Sequence, residues 1–224
     1  MIKAENCSLQ YKDGTLALKP FSLEIASGEL IFITGPSGSG KTSFLKLIMG
    51  IESPTDGNIE VLNLNMRTAR EQDIRVMRTH MGPIFQDFRL LEGRSVLENV
   101  MLGLRFLNYS HGDMKRLATE YIVRVGLEHK LNHTVDRLSW GECQRVAIAR
   151  AVARKPRLIV ADEPTGNLDQ ANAVNVLELL ASFVDAETSV LITTHATHLV
   201  SKVPWTVRLQ MQNGIMSIER SVRP

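Results

Sequence analysis

The sequence is poor in cysteine, has no excess of either charge, and contains no long apolar run. Its 224 residues include two cysteines, Cys7 and Cys143, with no CxxC pair and no metal-like cluster around them. That excludes a disulfide framework and fits a reducing compartment. Lys and Arg number 26 against 24 Asp and Glu, a formal charge of +2. Such a balance gives no electrostatic footprint for gripping nucleic acid or an anionic membrane by charge alone. The longest unbroken apolar stretches, such as residues 30–33 and 158–161, are four residues long. A membrane-crossing helix needs about 20, and an export signal needs an apolar block near the start. The expectation is a soluble chain that stays in the cytoplasm. With 44% hydrophobic and 22% charged residues, it has the composition of a globular protein rather than a disordered one. Its length suits one large domain or two small ones.

Residues 1–33 read as short strands, with turn signals at Lys12-Asp13-Gly14 and Ser27-Gly28. Leu30 to Thr34 is continuously apolar up to its last residue, the pattern of a strand buried on both faces. A helix is predicted over Thr42 to Met49, stopped by Gly50. The middle of the chain is helical: Ser95-Val96-Leu97-Glu98 forms a capping box ahead of Val96, Val100 and Leu104. Met114, Leu117, Tyr121 and Val125 make a second stripe, closed by Gly126. Buried strands follow at Leu158 to Ala161 and Ser189 to Thr194, around a helix carrying Ala173, Leu177, Leu180 and Val184. Val207, Leu209 and Met211 alternate into a hairpin turn at Asn213-Gly214. Continuous apolar strands alternating with helices predict an α/β fold with a parallel sheet covered on both faces. No repeat or linker divides the chain, so one unit over residues 1–224 is expected, with an inserted helical lobe at about residues 87–156.

Gly35-Pro36-Ser37-Gly38-Ser39-Gly40-Lys41-Thr42 fits the phosphate-loop pattern G-x-x-x-x-G-K-[ST], between a buried strand and a helix as that pattern requires. Gly35, Gly38 and Gly40 let successive N–H groups turn toward an anion, and the helix N-terminus adds partial positive charge. Lys41 can reach terminal phosphates and the Thr42 hydroxyl can bind Mg²⁺; Ser43 completes the nucleotide-binding set. Asp162 and Glu163 follow the buried strand 158–161, at the sheet edge where ligands of open α/β sheets sit. The first suits the Mg²⁺ shell, and the second suits a base that polarises the attacking water. His195 and His198 raise the thought of a metal pair, but no HExxH and no third ligand accompany them; His198 has no assigned role.

Leu138-Ser139-Trp140-Gly141-Glu142-Cys143-Gln144-Arg145 resembles the LSGGQ signature of ATP-binding-cassette (ABC) ATPases. The other motifs of that family occur in its order across roughly residues 1–215. The resemblance implies a P-loop ABC-ATPase fold: a mostly parallel core sheet, an N-terminal antiparallel β subdomain and an inserted α-helical subdomain. It implies ATP and Mg²⁺ as cofactors. It makes Tyr11 the aromatic residue that stacks on adenine, Gln86 a loop glutamine that serves the metal and catalysis, and His195 the switch histidine. Asn167-Leu168-Asp169 matches the D-loop, whose Asp169 joins Ser139, Gly141 and Glu142 in the nucleotide-binding set. Two copies are expected to close head to tail, with Ser139 of one serving the ATP held by Lys41 of the other, and to drive an integral membrane partner carried on a separate chain. That partner would hold the ATPase on the cytoplasmic face of the inner membrane. Phe85-Gln86-Asp87-Phe88-Arg89-Leu90-Leu91 is most similar to the cell-division (FtsE-like) version, which implies an FtsX-like partner and force transmitted to cell-wall hydrolases. The alternatives are an exporter ATPase of the LolD-like or MacB-type branch, for lipoprotein, lipid or drug, and a soluble ABC ATPase without transport. Two departures stand out: Trp140 where the signature has glycine, and Cys143 where the group has glutamine. Two readings of Trp140 stand: the helix keeps its start and the indole lies against the partner's nucleotide or the neighbouring subunit, which is the preferred expectation, or the signature is impaired and the ATPase is slow.

Overall fold

The structure, a computed structural model, describes residues 1–166 and 168–221. Two strands open the chain, β1 (Ile2–Gln10) and β2 (Leu16–Ile25), paired antiparallel. Strand β3 (Leu30–Thr34) is buried at every position and runs straight into the phosphate loop and α1 (Lys41–Ile48). Then come β4 (Asp56–Val61), the two-residue β5 (Leu64–Asn65), α2 (Glu71–Thr79) and β6 (Met81–Ile84). Helices α3 (Val96–Leu104), α4 (His111–Arg124) and α5 (Trp140–Val152) lie between β6 and β7 (Leu158–Ala161). The chain closes with α6 (Gln170–Ala181), β8 (Ser189–Thr194), α7 (Thr197–Val200), β9 (Val207–Gln212) and β10 (Ile215–Arg220).

One sheet has the order β2-β1-β4-β5 and is antiparallel; the other runs β10-β9-β3-β8-β7-β6, parallel except for β10. The unbroken apolar run of β3 has a direct explanation. Successive strand side chains point to opposite faces, and both faces are covered. Leu30 and Phe32 join Val190, Ile192 and the apolar faces of α3 to α6, whereas Ile31 and Ile33 join Leu191, α1 and the antiparallel sheet. This is the expected architecture, a parallel core sheet with an antiparallel N-terminal sheet and a helical insertion.

Element ends match the sequence signals closely. Gly50, just past α1, has φ 66°, and Gly126, past α4, has φ 77°; both are left-handed stops that a side chain tolerates poorly. The predicted stripe through Val184 overshoots, because α6 ends at Ala181. Residues 51–84 carry four elements that the pattern reading left unassigned. Only Met77 of α2 is buried, so that helix has no apolar stripe to read. Strand β6 contains Gly82 and Pro83, which argue against a strand, but it is the edge strand of its sheet, where proline is tolerated. Among the described residues no helix is long and apolar enough to cross a membrane.

Candidate functional site

The phosphate loop is shaped by its glycines in two ways. A Cβ on Gly35 would lie 2.2 Å from the Met211 carbonyl oxygen, and one on Gly40 would lie 2.7 Å from that of Ala17. Gly38 has open space around it and is held to glycine by its φ of 76° alone. The loop therefore wraps closely onto β9 and β2 and presents its inner face to the cleft. At its end the Lys41 ammonium donates to the carbonyl oxygens of Gly35 (2.8 Å) and Pro36 (3.1 Å). Ser39 Oγ is buried without a hydrogen-bond partner, whereas the Thr42 side chain is exposed. A buried cation beside a loop whose Gly35 and Gly40 leave no room for a Cβ is an arrangement that suits phosphate.

The two carboxylates stand where β7 ends, and the neighbouring strand β8 fixes both. Parallel register pairs Ala161 with Ile192, so Thr193 comes level with Asp162. Its hydroxyl donates to Asp162 Oδ1 (2.7 Å) and accepts from the Glu163 N–H (2.9 Å). Glu163 is left-handed, φ 46°, which turns its side chain back across the sheet edge. Its Oε1 lies 3.4 Å from Lys41 Nζ, and its Oε2 accepts from the His195 N–H (3.2 Å) and from Nδ1 (3.0 Å). A carboxylate acceptor puts the ring hydrogen on Nδ1. Burial pushes the Asp162 carboxyl above its ordinary value, helped by the Glu163 charge and opposed by the Thr193 hydroxyl and Lys41. A carboxyl held up in this way favours a cation beside it.

Lys41, Glu163 and His195 line one cleft of about 800 Å³, together with Tyr11, Ser37, Gly38, Gly40, Thr42, Ser43 and Gln86; Asp162 and Thr193 stand beside Glu163 without lining it. Tyr11 follows β1; its hydroxyl pairs with Ser43 Oγ at 3.0 Å, and the Lys46 ammonium sits 5.5 Å from its ring centre. The structure thus brings Ser37, Gly38, Gly40, Lys41, Thr42 and Ser43 of the phosphate loop together with Tyr11, Gln86, Glu163 and His195, whereas the predicted residues Gly35, Pro36, Ser39 and Asp162 do not line the cleft. It adds two features that pattern reading missed, the Leu16-Ala17 edge of β2 and the hairpin tip Asn213-Gly214, and behind the carboxylates Thr193, which hydrogen-bonds to both residues. The Gly214 N–H donates to the Ser39 carbonyl oxygen at 3.1 Å, so the turn read as a plain hairpin also braces the loop. Two hydroxyl residues ending the buried strand β8 were the signal for Thr193.

The remaining predicted residues do not line this cleft. Ser139 is the N-cap of α5, and its Oγ accepts from the Glu142 N–H while Glu142 Oε2 accepts from the Ser139 N–H (2.8 Å). That reciprocal box stabilises the helix start by about 1 kcal/mol and holds the Glu142 carboxyl below its ordinary value, with Lys130 contributing. Gly141 has a normal helical backbone, with a single atom, of Leu168, near the site of a Cβ. Trp140 is the first residue of α5 and needs no special φ, so the helix keeps its expected shape. Its indole packs on Phe88 of the same chain, with ring centres 4.6 Å apart. Asp169 caps α6 through the Asn172 N–H (3.0 Å); Asn167, from the same motif, lies outside the described residues. The signature and Asp169 are therefore available to something other than their own cleft.

The family model described as "ABC transporter" matches residues 18–166. The chain is 40% identical over 202 residues to the cell division ATP-binding protein FtsE of Escherichia coli, covering 90% of this chain and 91% of that protein. It is 38% identical over 204 residues to the FtsE of Mycobacterium tuberculosis, covering 91% and 89%. Among solved structures it resembles the dimeric ATP-binding cassette MJ0796 in a post-hydrolysis state bound to ADP and Pi, with a TM-score of 0.85, 32% identity and 98% of each chain covered. It also resembles cbiO1 of Clostridium perfringens, part of the ABC transporter complex cbiONQ, with a TM-score of 0.88, 28% identity and 96% and 86% covered.

Proposed function

The chain belongs to the ABC transporter family as an ATP-binding ATPase, and we propose that it works as one ATPase unit of a membrane complex of the cell-division type, paired with an FtsX-like protein on a separate chain. The single observation that carries the catalytic part is the meeting of Lys41, Glu163 and His195 at one point of the cleft. In this reading Lys41 and the loop N–H groups hold the phosphates, and Tyr11 stacks on the base. Thr42, Asp162 and Gln86 hold Mg²⁺; the ion, when bound, neutralises charge on the phosphate oxygens. Glu163 accepts the proton of the attacking water, and His195 orients that carboxylate through Nδ1 and its backbone N–H. Ser139, Gly141, Glu142 and Asp169 complete the partner copy's site, which accounts for their absence from the cleft of their own chain. The membrane partner docks on the helical insertion, about residues 87–156, and keeps the ATPase at the cytoplasmic face. The relatives named FtsE support the cell-division branch over the exporter branch.

Glu163→Gln tests this directly. The amide keeps the size of the side chain and loses the basicity, and positioned proton transfer contributes roughly 10²–10⁴-fold to rate. Hydrolysis should fall by at least about a hundredfold, with ATP still bound in calorimetry and a dimer on gel filtration with Mg-ATP. Hydrolysis at the parent rate would sink the assignment.

A further inference from the structure

The indole of Trp140 stands where the family signature has glycine, and it has a specific partner. Phe88, two residues beyond Gln86, lies under it with the ring planes at 57°. Phe88 is 7% exposed and Trp140 is 47% exposed. The backbone at this point is unusual: Phe88 and Arg89 are both left-handed, with φ 57° and 50°, a conformation that disfavours L-residues and persists only where the surroundings enforce it. Arg150, further along α5, supplies that enforcement, because its guanidinium donates to the carbonyl oxygens of both Phe88 and Arg89. Gly103 lets α3 close at the same place, since a Cβ there would lie 2.5 Å from the Arg150 carbonyl oxygen. Asn99 on α3, fully buried, ties down the far end through the N–H (2.7 Å) and carbonyl (3.1 Å) of Leu91. Residues 85–91 are thus gripped by α5 at Phe88 and Arg89 and by α3 at Leu91, while Gln86 lines the same cleft as Glu163 and His195.

We infer that Trp140, Phe88 and Arg150 make the segment leaving Gln86 and the N-terminus of α5 move as one piece, with Trp140 a positioning residue between the cleft and the signature of one chain. The inference rests on the reading that Ser139 serves the partner's ATP. Given that reading, the ring contact sets where Ser139 stands relative to the segment that leaves Gln86. A glycine at position 140 would keep the Arg150 grip and lose the ring contact nearest to Ser139.

A double-mutant cycle in steady-state hydrolysis tests the coupling. Trp140→Leu and Phe88→Leu should each lower kcat about threefold with KM for ATP within about twofold, the signature of a lost transition-state arrangement rather than lost binding. The double variant should be no slower than the slower single one, whereas independent residues would give about a ninefold loss. Trp140→Phe keeps a ring over Phe88 and should restore the parent kcat. Losses that add, with the parent hydrolysing ATP normally, overturn the coupling and leave the functional reading standing; a parent with no ATPase activity overturns both. Should Phe88→Leu fail to fold, the half-exposed Trp140 carries the test, and equal kcat for Trp140→Leu and Trp140→Phe overturns the inference. A spectroscopic arm is independent of rate. Of the two tryptophans, Trp205 is replaced by Phe, and Gln86→Ala should then at least halve the ATP-induced change in Trp140 emission while calorimetry still shows ATP bound. An undiminished change overturns the link.

Discussion

Thr193→Val isolates the contact on which both carboxylates of the site depend. The side chain is fully buried, and valine has nearly its shape, so the perturbation is the loss of one hydroxyl. Two hydrogen bonds go with it, to Asp162 Oδ1 and from the Glu163 N–H. The first is to a carboxylate, worth about 1.5–3 kcal/mol, and the second leaves a part-buried N–H without an acceptor, at about 1–3 kcal/mol. After relaxation the net loss should be about 3 kcal/mol, which for a chain of this size lowers Tm by about 6–12 °C. The catalytic consequence is separate. The Glu163 N–H bond helps to hold its left-handed backbone, and with it the angle at which the carboxylate meets Lys41 and His195. Thr193→Val should therefore hydrolyse ATP at least about tenfold more slowly, because misplacement on an ångström scale costs that order of rate. Thr193→Ser, which keeps the hydroxyl, should recover most of the rate and lose only the stability of one buried methyl. Differential scanning calorimetry and a coupled ATPase assay read the two effects. A valine variant with Tm within about 2 °C of the parent and an unchanged rate would refute the reasoning.

Lys41→Ala removes the side-chain cation that faces the phosphate loop and leaves backbone N–H groups to hold the phosphates; ATP affinity should fall at least about tenfold, with hydrolysis lost, and unchanged binding in calorimetry would mean that the loop is misread. The raised Asp162 carboxyl gives a prediction in pH. A carboxyl whose folded pKa exceeds its unfolded value stabilises the fold below about 3.8, and that contribution is lost as pH rises through the folded value. Asp162→Asn should accordingly raise Tm of the nucleotide-free protein at pH 7, the gap should close toward pH 4, and Mg²⁺-dependent hydrolysis should be lost; a lower Tm at pH 7 would contradict the assigned shift.

The parts of the site that the sequence exposes are those built from contiguous residues. The phosphate loop must turn within eight positions, so its glycines, Lys41 and Thr42 stand together in the chain; Asp162 and Glu163 follow a run that could only be a buried strand. Other parts of the site are made by register. Thr193 reaches the carboxylates because β8 lies beside β7 with Ala161 opposite Ile192, and Asn213-Gly214 reaches the loop because β9 lies beside β3. Neither adjacency follows from the residues alone. Strand β6 and helix α2 escaped for a different reason: one is an edge strand with a proline, and the other is a helix with one fully buried residue, so tertiary position overrides the local pattern in both.

Trp140 shows where reading a motif by resemblance stops being enough. In the signature a glycine suggests either a positive φ or a close approach of backbone to ligand, and tryptophan departs from both expectations. The capping box decides the first: Ser139 and Glu142 satisfy each other's N–H groups, so the helix begins normally whatever follows Ser139. The ring then needs only a place to lie, and Phe88 supplies it from 52 residues earlier in the chain. Phe88 can do so because Arg150 fixes an otherwise unfavourable backbone turn beneath the indole. The substitution is accommodated by a contact within the chain, leaving about half of the side chain exposed. That exposed half is on the residue next to Ser139, so any closing of a second copy over the signature would be felt first by an indole already stacked on the segment that leads back to Gln86.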